Sequence, residues 1–416
     1  MTTARRRRTT TVRITLVLGV LAAGQSVRAA SATAQRRVTL DEAIAAAQTS
    51  GRRLRIARAD SAAAAARLVT ARAIMNPTLS LGYSKSPPPY HLEVEQPIAF
   101  PWLRKARIDA ARFTAAAAAL GLDIENARLR YDVETAYAGV FIAQAIAGLS
   151  AQNARDGDEL VRIAVARRDA GDAAELDVDL ARVTAAGLHR AAAIDSLAIT
   201  TSALELQSLM GMDSAAVVLA AADSFVALPL SAVGASQLRS APGAALQQAD
   251  LEARAAELAL KAEQGSARFS EISIRAGFET GDPDMRGFLP TIGFAIPLPL
   301  FDQRKGPIAE ARAERDRSLA VQEQLREQAR LGFALAERQR AVQQSVLEQD
   351  RAGLEDARRV AARALTAYRE GEYTLAAVIE AQRSARDALR QYYEDLGALW
   401  AAQSAFTLAR TSGLRP

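Results

Sequence analysis

The stretch QPIAFPWLRKARIDAAR, from Gln96 to Arg112, has a counterpart two hundred positions later in IPLPLFDQRKGPIAEAR, from Ile296 to Arg312. In both copies an apolar run with proline gives way to a basic pair and then to an alanine-rich pattern. Proline favours an extended conformation in the residue before it, whereas alanine has the highest helix propensity. Each copy therefore predicts the end of a strand and the start of a long helix, and the recurrence predicts an internal duplication.

The residues before the first copy predict a helix and a β-hairpin. Thr39 is a candidate N-cap, and Glu42, three positions later, completes the pattern of a capping box. The helical pattern continues to about Ile74 and ends before a proline. Apolar and polar residues then alternate on both sides of a proline-rich turn, which predicts a β-hairpin over residues 78–100.

The residues after the first copy predict a long helical hairpin. A heptad seam of small and apolar residues indicates one very long helix that ends near Ala170. Gly171 predicts the turn into an antiparallel helix that ends near Met210. Residues 35–211 are thus predicted to form a first structural repeat, and residues 212–242 a mixed equatorial segment.

The residues around the second copy follow the same plan, so residues 243–416 are predicted to form a second structural repeat. A helix over 243–266 precedes a β-hairpin over 271–299. Helical patterns then continue on both sides of Gly371, which lies two hundred positions after Gly171. The expected fold class is mainly α with a small β part: long antiparallel helical hairpins plus four strands per chain.

The N-terminus has the features of a secretory signal peptide over residues 1–34. Four arginines at positions 5–8 precede a short apolar core, from Ile14 to Gly24, and a small-residue site that ends at Ala34. Cleavage after Ala34 removes six arginines, so the formal net charge of +5 falls by six to −1. The mature chain then lacks the basicity expected of a nucleic-acid-binding protein.

The composition argues against a resident metal, a cofactor or catalysis. The chain contains no Cys and two His, which lie on different predicted elements at positions His91 and His189. The spacing pairs no nucleophile with a base, and no glycine-rich loop has the pattern of a phosphate site. We therefore expect no cofactor, no bound metal and no enzyme activity.

The alternation within the predicted strands points to a bilayer. In EISIRAGFE, from Glu271 to Glu279, apolar residues share one face, and charged or small residues share the other. Lipid does not tolerate open sheet edges, and a closed barrel takes about eight strands or more. Four strands per chain therefore need strands from further copies, and helices without a globular core need partners beside them.

The order of these motifs resembles the TolC-type outer-membrane efflux proteins. The resemblance rests on VTLDEAIAAA, on NPTLSLGY, on the two quoted copies and on the two glycine turns. Those turns are ARRDAGDAAELDVDLARV, from Ala166 to Val183, and AYREGEYTLAAVIEAQRS, from Ala367 to Ser384. The segment PLPLFDQRKG is most similar to the branch that partners heavy-metal cation exporters.

The resemblance implies a homotrimer in the outer membrane of a Gram-negative-type bacterium. Three chains of four strands would make a 12-stranded transmembrane β-barrel, and their helical hairpins would continue it into the periplasm as a trimeric α-barrel. Family members are passive, gated ducts that work with a periplasmic adaptor protein and an inner-membrane pump. The cargo stays open among metal cations, drugs and other compounds.

The resemblance also assigns the helical tips to contact with the adaptor. The tips are centred on Gly171 and Gly371, where a helix reversal needs glycine. Charged residues flank both glycines and are candidates for the same contact: Arg168, Asp172, Arg369 and Glu372.

A periplasmic gate is expected from Tyr368, Asp177 and Glu380. Tyr368 and Asp177 match positions that hydrogen bond between neighbouring hairpins in the family, and Glu380 matches one of two acidic rings. The chain departs from the family at two positions, because the expected base is Tyr373 and the second acid is Ala377.

These assignments have structural alternatives. Tyr368 could pack near a helix end, and Glu380 could belong to a solvated helix face. For the whole chain, the alternative is a periplasmic coiled-coil scaffold or adaptor without a transmembrane barrel. That alternative leaves the alternation in both predicted hairpins unexplained.

Overall fold

The structure is a computed structural model that describes residues 36–212, 219–222, 243–268, 272–284, 287–298 and 300–414. The predicted signal peptide and most of the mixed segment 212–242 lie outside the described residues. Seven helices and six strands occupy the described part of the chain.

The elements of the first half lead from a short strand to a long helical hairpin. In order they are β1 (Arg36–Val38), α1 (Leu40–Ser50), α2 (Arg52–Arg72), β2 (Thr78–Tyr83), β3 (Tyr90–Ile98), α3 (Pro101–Asp169) and α4 (Glu175–Leu209). The second half has a similar order: β4 (Leu219–Ala221), α5 (Ala244–Ser266), β5 (Ile272–Thr280), β6 (Leu289–Ala295), α6 (Lys305–Arg369) and α7 (Leu375–Ser412).

The first predicted helix is two helices in the structure. Its capping box is present, since the Glu42 N–H donates to Thr39 Oγ1 at 3.3 Å and the Thr39 N–H donates to Glu42 Oε2 at 3.1 Å. The prediction of one helix to about Ile74 is wrong, because Gly51 has an extended backbone (φ −58°, ψ 132°) that separates α1 from α2. A Cβ at Gly51 would lie 2.1 Å from the Ala47 carbonyl oxygen, so the break needs glycine.

A second sheet was not predicted. β1 and β4 pair in parallel, with Val38 opposite Ala221, and the Tyr137 hydroxyl donates to the Val38 carbonyl at 3.0 Å. Val38, Leu219 and Tyr137 are all buried at the centre of the largest hydrophobic cluster. Three-residue strands are too short to show a periodicity, which is why the sequence did not reveal them.

The two predicted hairpins form one antiparallel sheet of four strands in the order β2-β3-β5-β6. The pairing of β3 with β5 joins the two halves of the chain and places Leu92 opposite Phe278 and Glu95 opposite Arg275. Within the described residues the sheet is open, and β2 and β6 are its edges. A single copy therefore does not contain the 12-stranded barrel that the resemblance implies.

Within the described residues the helices form one layer, and the two edges of that layer are also unpaired. α3 packs against α4 and α7, and α6 packs against α7, which gives the order α4-α3-α7-α6 near the two helix turns. Nearer the sheet, α2 packs on α3, and α5 lies between α3 and α6. The 69 residues of α3 span about 100 Å, so the sheet and the tips of the hairpins are far apart.

Candidate functional site

Both helical hairpins turn through the same backbone motif. Gly171 and Gly371 have φ +83°, in the left-handed region that glycine adopts without strain. The Asp172 N–H donates to the Arg167 carbonyl at 2.8 Å, and the equivalent Glu372 N–H donates to the Ala367 carbonyl at 2.9 Å. These 6→1 bonds, with the 5→2 bonds of the two glycines, are Schellman motifs that satisfy the last carbonyls of each helix.

An arginine joins the two tips. Arg167 Nη1 donates to the Tyr368 carbonyl at 2.9 Å, and its Nη2 donates to the Asp172 carbonyl at 3.1 Å. The guanidinium also lies over the Tyr368 ring, 4.6 Å from its centroid. Arg167 therefore connects the C-terminal ends of α3 and α6, two hundred residues apart in the chain. Sequence analysis singled out its neighbour Arg168 instead.

Tyr368 is buried where the two hairpins meet. It is 1% exposed and packs with apolar residues of α3, α4 and α7. Burial raises the pKa of its hydroxyl above the ordinary value; the positive charge of Arg167 opposes this rise, and the negative charge of Asp177 adds to it. The hydroxyl makes no hydrogen bond within the described residues, although its protonated form is a good donor.

At the other end of the molecule, the sheet has one strongly apolar face. Leu79, Val94, Ala276 and Ile292 lie in one row across the four strands. These side chains are exposed in a single copy, to 87% for Ile292, and the same face contains further exposed residues: Leu81, Tyr83, Ile274 and Phe294.

The opposite face of the sheet is charged. Arg275 Nη2 lies 3.3 Å from Glu95 Oε2, and its Nε lies 3.8 Å from Glu93 Oε1. One row farther from the helices, His91 Nδ1 lies 3.2 Å from Glu279 Oε1. Apart from Val94, the large apolar residues exposed on the other face have a larger exposed fraction than these charged side chains, which is the reverse of a sheet that packs against a core in water. A membrane barrel with a wet lumen has this arrangement.

Aromatic residues lie at both ends of the apolar face. Phe100 and Trp102 stack at 4.6 Å where β3 gives way to α3. At the other end, the rings of Tyr83 and Tyr90 are 5.5 Å apart beside the first hairpin turn. Two such girdles, separated by a band of about 25 Å, mark the two interfaces of a transmembrane barrel.

The comparisons agree with this geometry. No protein-family model matches the chain. The chain is 26% identical over 384 residues to the cobalt-zinc-cadmium resistance protein CzcC of Cupriavidus metallidurans, and the alignment covers 90% of each chain. Among solved structures, the outer membrane protein VceC of Vibrio cholerae has a TM-score of 0.74 at 18% identity over 90% of this chain and 97% of that one. CusC, whose structures concern transmembrane channel formation, has a TM-score of 0.72 at 17% identity over 91% and 94%.

Over about nine-tenths of its length the chain has the TolC-type fold of these outer-membrane channels. Solved structures that share this fold also include the outer-membrane channel OprN, with a TM-score of 0.72 at 18% identity over 91% of each chain. This likeness of fold to outer-membrane channels argues against the alternative of a periplasmic scaffold without a transmembrane barrel.

The residues proposed for the tips of this TolC-type chain form mostly local pairs. Arg168 lies 2.7 Å from Asp169 Oδ1 and 3.1 Å from Glu175 Oε2, and these carboxylates raise its pKa further. Arg369 reaches Glu159 on α3 at 3.8 Å. Two further predicted tip residues, Asp172 and Glu372, are exposed.

The residues proposed for the gate are not in one cluster. Asp177, in the first turn of α4, is half-buried and acts on Tyr368 through its charge, without a hydrogen bond to the hydroxyl. Glu380 is exposed on α7. At the two departures from the family pattern, Tyr373 is exposed and Ala377 is half-buried.

A buried carboxylate joins three helices of the TolC-type layer between the tips and the sheet. Asp195 of α4 is 7% exposed and accepts hydrogen bonds from Ser150 of α3 and from both terminal nitrogens of Arg390 on α7, at 3.0 and 3.1 Å. Such a pair is costly to break, because removing one partner leaves a buried charge. No sequence signal identified it, since its members lie on three separate helices.

Each of the two histidines lies beside a carboxylate of a neighbouring element. His91 pairs with Glu279, and His189 Nε2 lies 3.0 Å from Asp158 Oδ1 across α3 and α4. Within the described residues, no three His, Asp or Glu side chains come together in a way that could hold a metal ion. Each pair thus serves to connect neighbouring elements.

Proposed function

We propose that three copies of this chain close into one passive duct that conducts heavy-metal cations across the periplasm and the outer membrane. The observation that carries the proposal is the agreement of the unpaired edges. Within the described residues of one copy, the sheet ends in the unpaired strands β2 and β6, and the helical layer ends in the unpaired helices α4 and α6.

The sheet edges need partners in lipid. The N–H and C=O groups of an edge strand cost several kcal/mol each when they have no hydrogen-bond partner in hydrocarbon. If β6 of one copy pairs with β2 of the next, three copies give twelve strands and no edge remains. Four strands alone are too few to close, since the smallest barrels have about eight.

The helical edges carry apolar seams that are exposed in one copy. On α4 the spacings between these residues are 4, 3, 11, 3 and 7, each of which a heptad pattern of three- and four-residue steps contains: Leu176, Leu180, Val183, Ile194, Leu197 and Leu204. On α6, at the other edge, further exposed apolar residues are Leu331, Leu335, Val342 and Val360. A second copy that presents α6 to α4 would bury both seams and continue the layer.

The cargo proposed is a heavy-metal cation, because the CzcC relative is a cobalt-zinc-cadmium resistance protein. A duct of this kind needs no catalysis and no bound metal, since a pump in the inner membrane supplies the energy. Its tips would meet a periplasmic adaptor protein through Gly171, Gly371 and the charged residues beside them: Arg168, Asp172, Arg369 and Glu372.

The periplasmic ends of the hairpins would form the gate. The Tyr368 hydroxyl is buried and has no hydrogen-bond partner within the described residues, so in the gate it would bond the carboxylate of Asp177 on the neighbouring hairpin. We expect the double variant Tyr368→Phe and Asp177→Ala to raise single-channel conductance in planar bilayers. Unchanged conductance would remove both residues from the gate.

Glu380 would line the entrance of the duct. Three carboxylates around one axis attract cations. Glu380→Ala should therefore reduce the preference for cations, seen as a reversal potential closer to zero under a salt gradient. A reversal potential that does not move would place Glu380 on a solvated face outside the pore.

The closure is tested by disulfides between edge strands. The chain has no Cys, so every disulfide comes from an introduced pair. Ser80→Cys on β2 is combined in turn with Thr291→Cys, Gly293→Cys and Ala295→Cys on β6, because the register between copies is not fixed by one chain. Within one copy these strands are three spacings, about 14 Å, apart, too far for a disulfide.

We expect one of the three pairs to give covalent dimers and trimers after oxidation in the membrane. A disulfide can also join the same introduced cysteine of two copies. The single-cysteine variants measure this background, which is subtracted. If all three pairs give only monomers, the strands do not close between copies.

A further inference from the structure

The charged face of the sheet carries more negative than positive charge. On this face, β3 and β5 together carry three carboxylates, one arginine and one histidine: Glu93, Glu95, Glu279, Arg275 and His91. With histidine neutral, the sum is one minus three, or −2 per copy. Three copies would place a total charge of −6 on this face of a closed barrel.

Arg275 lies between two carboxylates that it cannot both neutralise. It is directly opposite Glu95 in the register, and Glu93 opposes the neighbouring Gly277. Its Nη2 approaches Glu95 to 3.3 Å, whereas its Nε makes a looser approach to Glu93 at 3.8 Å and has no hydrogen-bond partner within the described residues. Glu93 is therefore the less compensated of the two acids.

We propose that this face is a second selectivity element of the duct, which favours cations at its outer-membrane end, and that Arg275 limits the strength of that preference. The proposal rests on the proposed duct, because only a closed barrel turns the charged face into a lumen. The apolar face is exposed and suits lipid, so the charged face is the one left for water.

The element is separate from the candidate ring at Glu380. The sheet and the tips lie at opposite ends of α3, about 100 Å apart. Charges so far apart are independent at physiological salt, where the screening length is about 8 Å. Cations delivered by a pump would thus meet favourable charge at the entrance and again before the exit.

The test is the reversal potential of the full-length mature protein in planar bilayers under a potassium chloride gradient. Arg275→Gln leaves −3 per copy and should raise the cation-to-anion permeability ratio by about twofold or more, whereas Glu93→Gln and Glu95→Gln should each lower it to a similar extent. The opposite signs distinguish charge from general damage to the barrel.

Two matched variants complete the design. Arg275→Lys retains the charge and should keep the wild-type ratio, and Ser80→Ala, on the same face, changes no charge and should also keep it. If Arg275→Gln fails to assemble, Glu93→Gln and Glu95→Gln still test the proposal, since each must lower the ratio. A ratio that stays constant in all charge variants of a conducting channel overturns the selectivity element and leaves the duct standing. If neither the wild type nor a variant with opened tips conducts at all, the duct itself fails, and the selectivity element fails with it.

Discussion

The two hairpin tips share a backbone and differ in their side chains. Both turn at a glycine with φ +83° inside a Schellman motif. The second tip contributes the buried Tyr368 and an N-cap at Thr374, whose hydroxyl accepts from the Ala377 N–H at 3.3 Å. The first tip has Ala174 at the equivalent position, without a side-chain cap, and contributes Arg167. The duplication thus preserved the turn, while its side chains became complementary between the two tips.

The largest effect is expected at Tyr368. Tyr368→Ala should lower the free energy of unfolding by about 3–5 kcal/mol, because it empties a site that is closely packed. Tyr368→Phe keeps the ring and should lower it only by the net value of the proposed hydrogen bond to Asp177, about 0.5–1.5 kcal/mol. Denaturant unfolding of the detergent-solubilised protein measures both. No loss in the Phe variant would contradict the proposed hydrogen bond to Asp177.

The next largest loss of stability is expected at Arg167 and not at the adjacent Arg168. Arg167→Ala should destabilise the junction of the tips by about 2–3 kcal/mol, because two carbonyls lose a charged donor and the ring loses its cation. Arg168→Ala is the matched control and should have no measurable effect, since its ion pairs are exposed to solvent. Equal losses in the two variants would contradict the assignment of Arg167 as the link between tips.

A smaller and equal effect is expected at the two glycines. Gly171→Ala and Gly371→Ala should each cost about 1–2 kcal/mol, because alanine is strained at positive φ. Gly139→Ala, inside α3, is the control: no described atom lies within 4 Å of a Cβ there, and it should gain up to about 1 kcal/mol of helix stability. Thermal unfolding ranks the three. Clearly unequal losses at 171 and 371 would show that the two turns are not equivalent.

The smallest effect concerns the helix caps. Thr374→Ala should cost about 1 kcal/mol, and Ala174→Thr should gain a similar amount if the first tip can adopt the same cap. The first variant removes the side-chain cap from the second tip, and the second variant introduces one at the first tip. Amide hydrogen exchange at the first turns of α4 and α7 reports the local change. If Ala174→Thr brings no protection, the first turn of α4 differs in more than its capping residue.

The sequence predicted those parts of the fold that have a local signal. The recurrence of the quoted stretch, the alternation in both hairpins and the glycines at 171 and 371 each reflect a period or a turn within a few residues. Gly51 was a visible helix breaker, but a single glycine inside a helical pattern does not tell a break from a tolerated residue. The short strands β1 and β4 had no period to detect.

The side-chain contacts between distant elements could not be predicted. Arg167 meets Tyr368 because α3 and α6 end side by side, and Arg390 meets Asp195 across α7 and α4. Their sequence separations are 201 and 195 residues, so no spacing rule reports them. The resemblance located Tyr368 and Asp177 at the tips, but it did not reveal that the tyrosine is buried beneath an arginine of the other hairpin.

The most direct test of the proposed duct is the native mass of the mature protein extracted from membranes in mild detergent. We predict a stable trimer that lacks residues 1–34, because three copies satisfy the sheet edges and the helical seams together. A monomer or dimer that stays soluble without detergent would contradict the account, since its apolar face would then need neither lipid nor further copies.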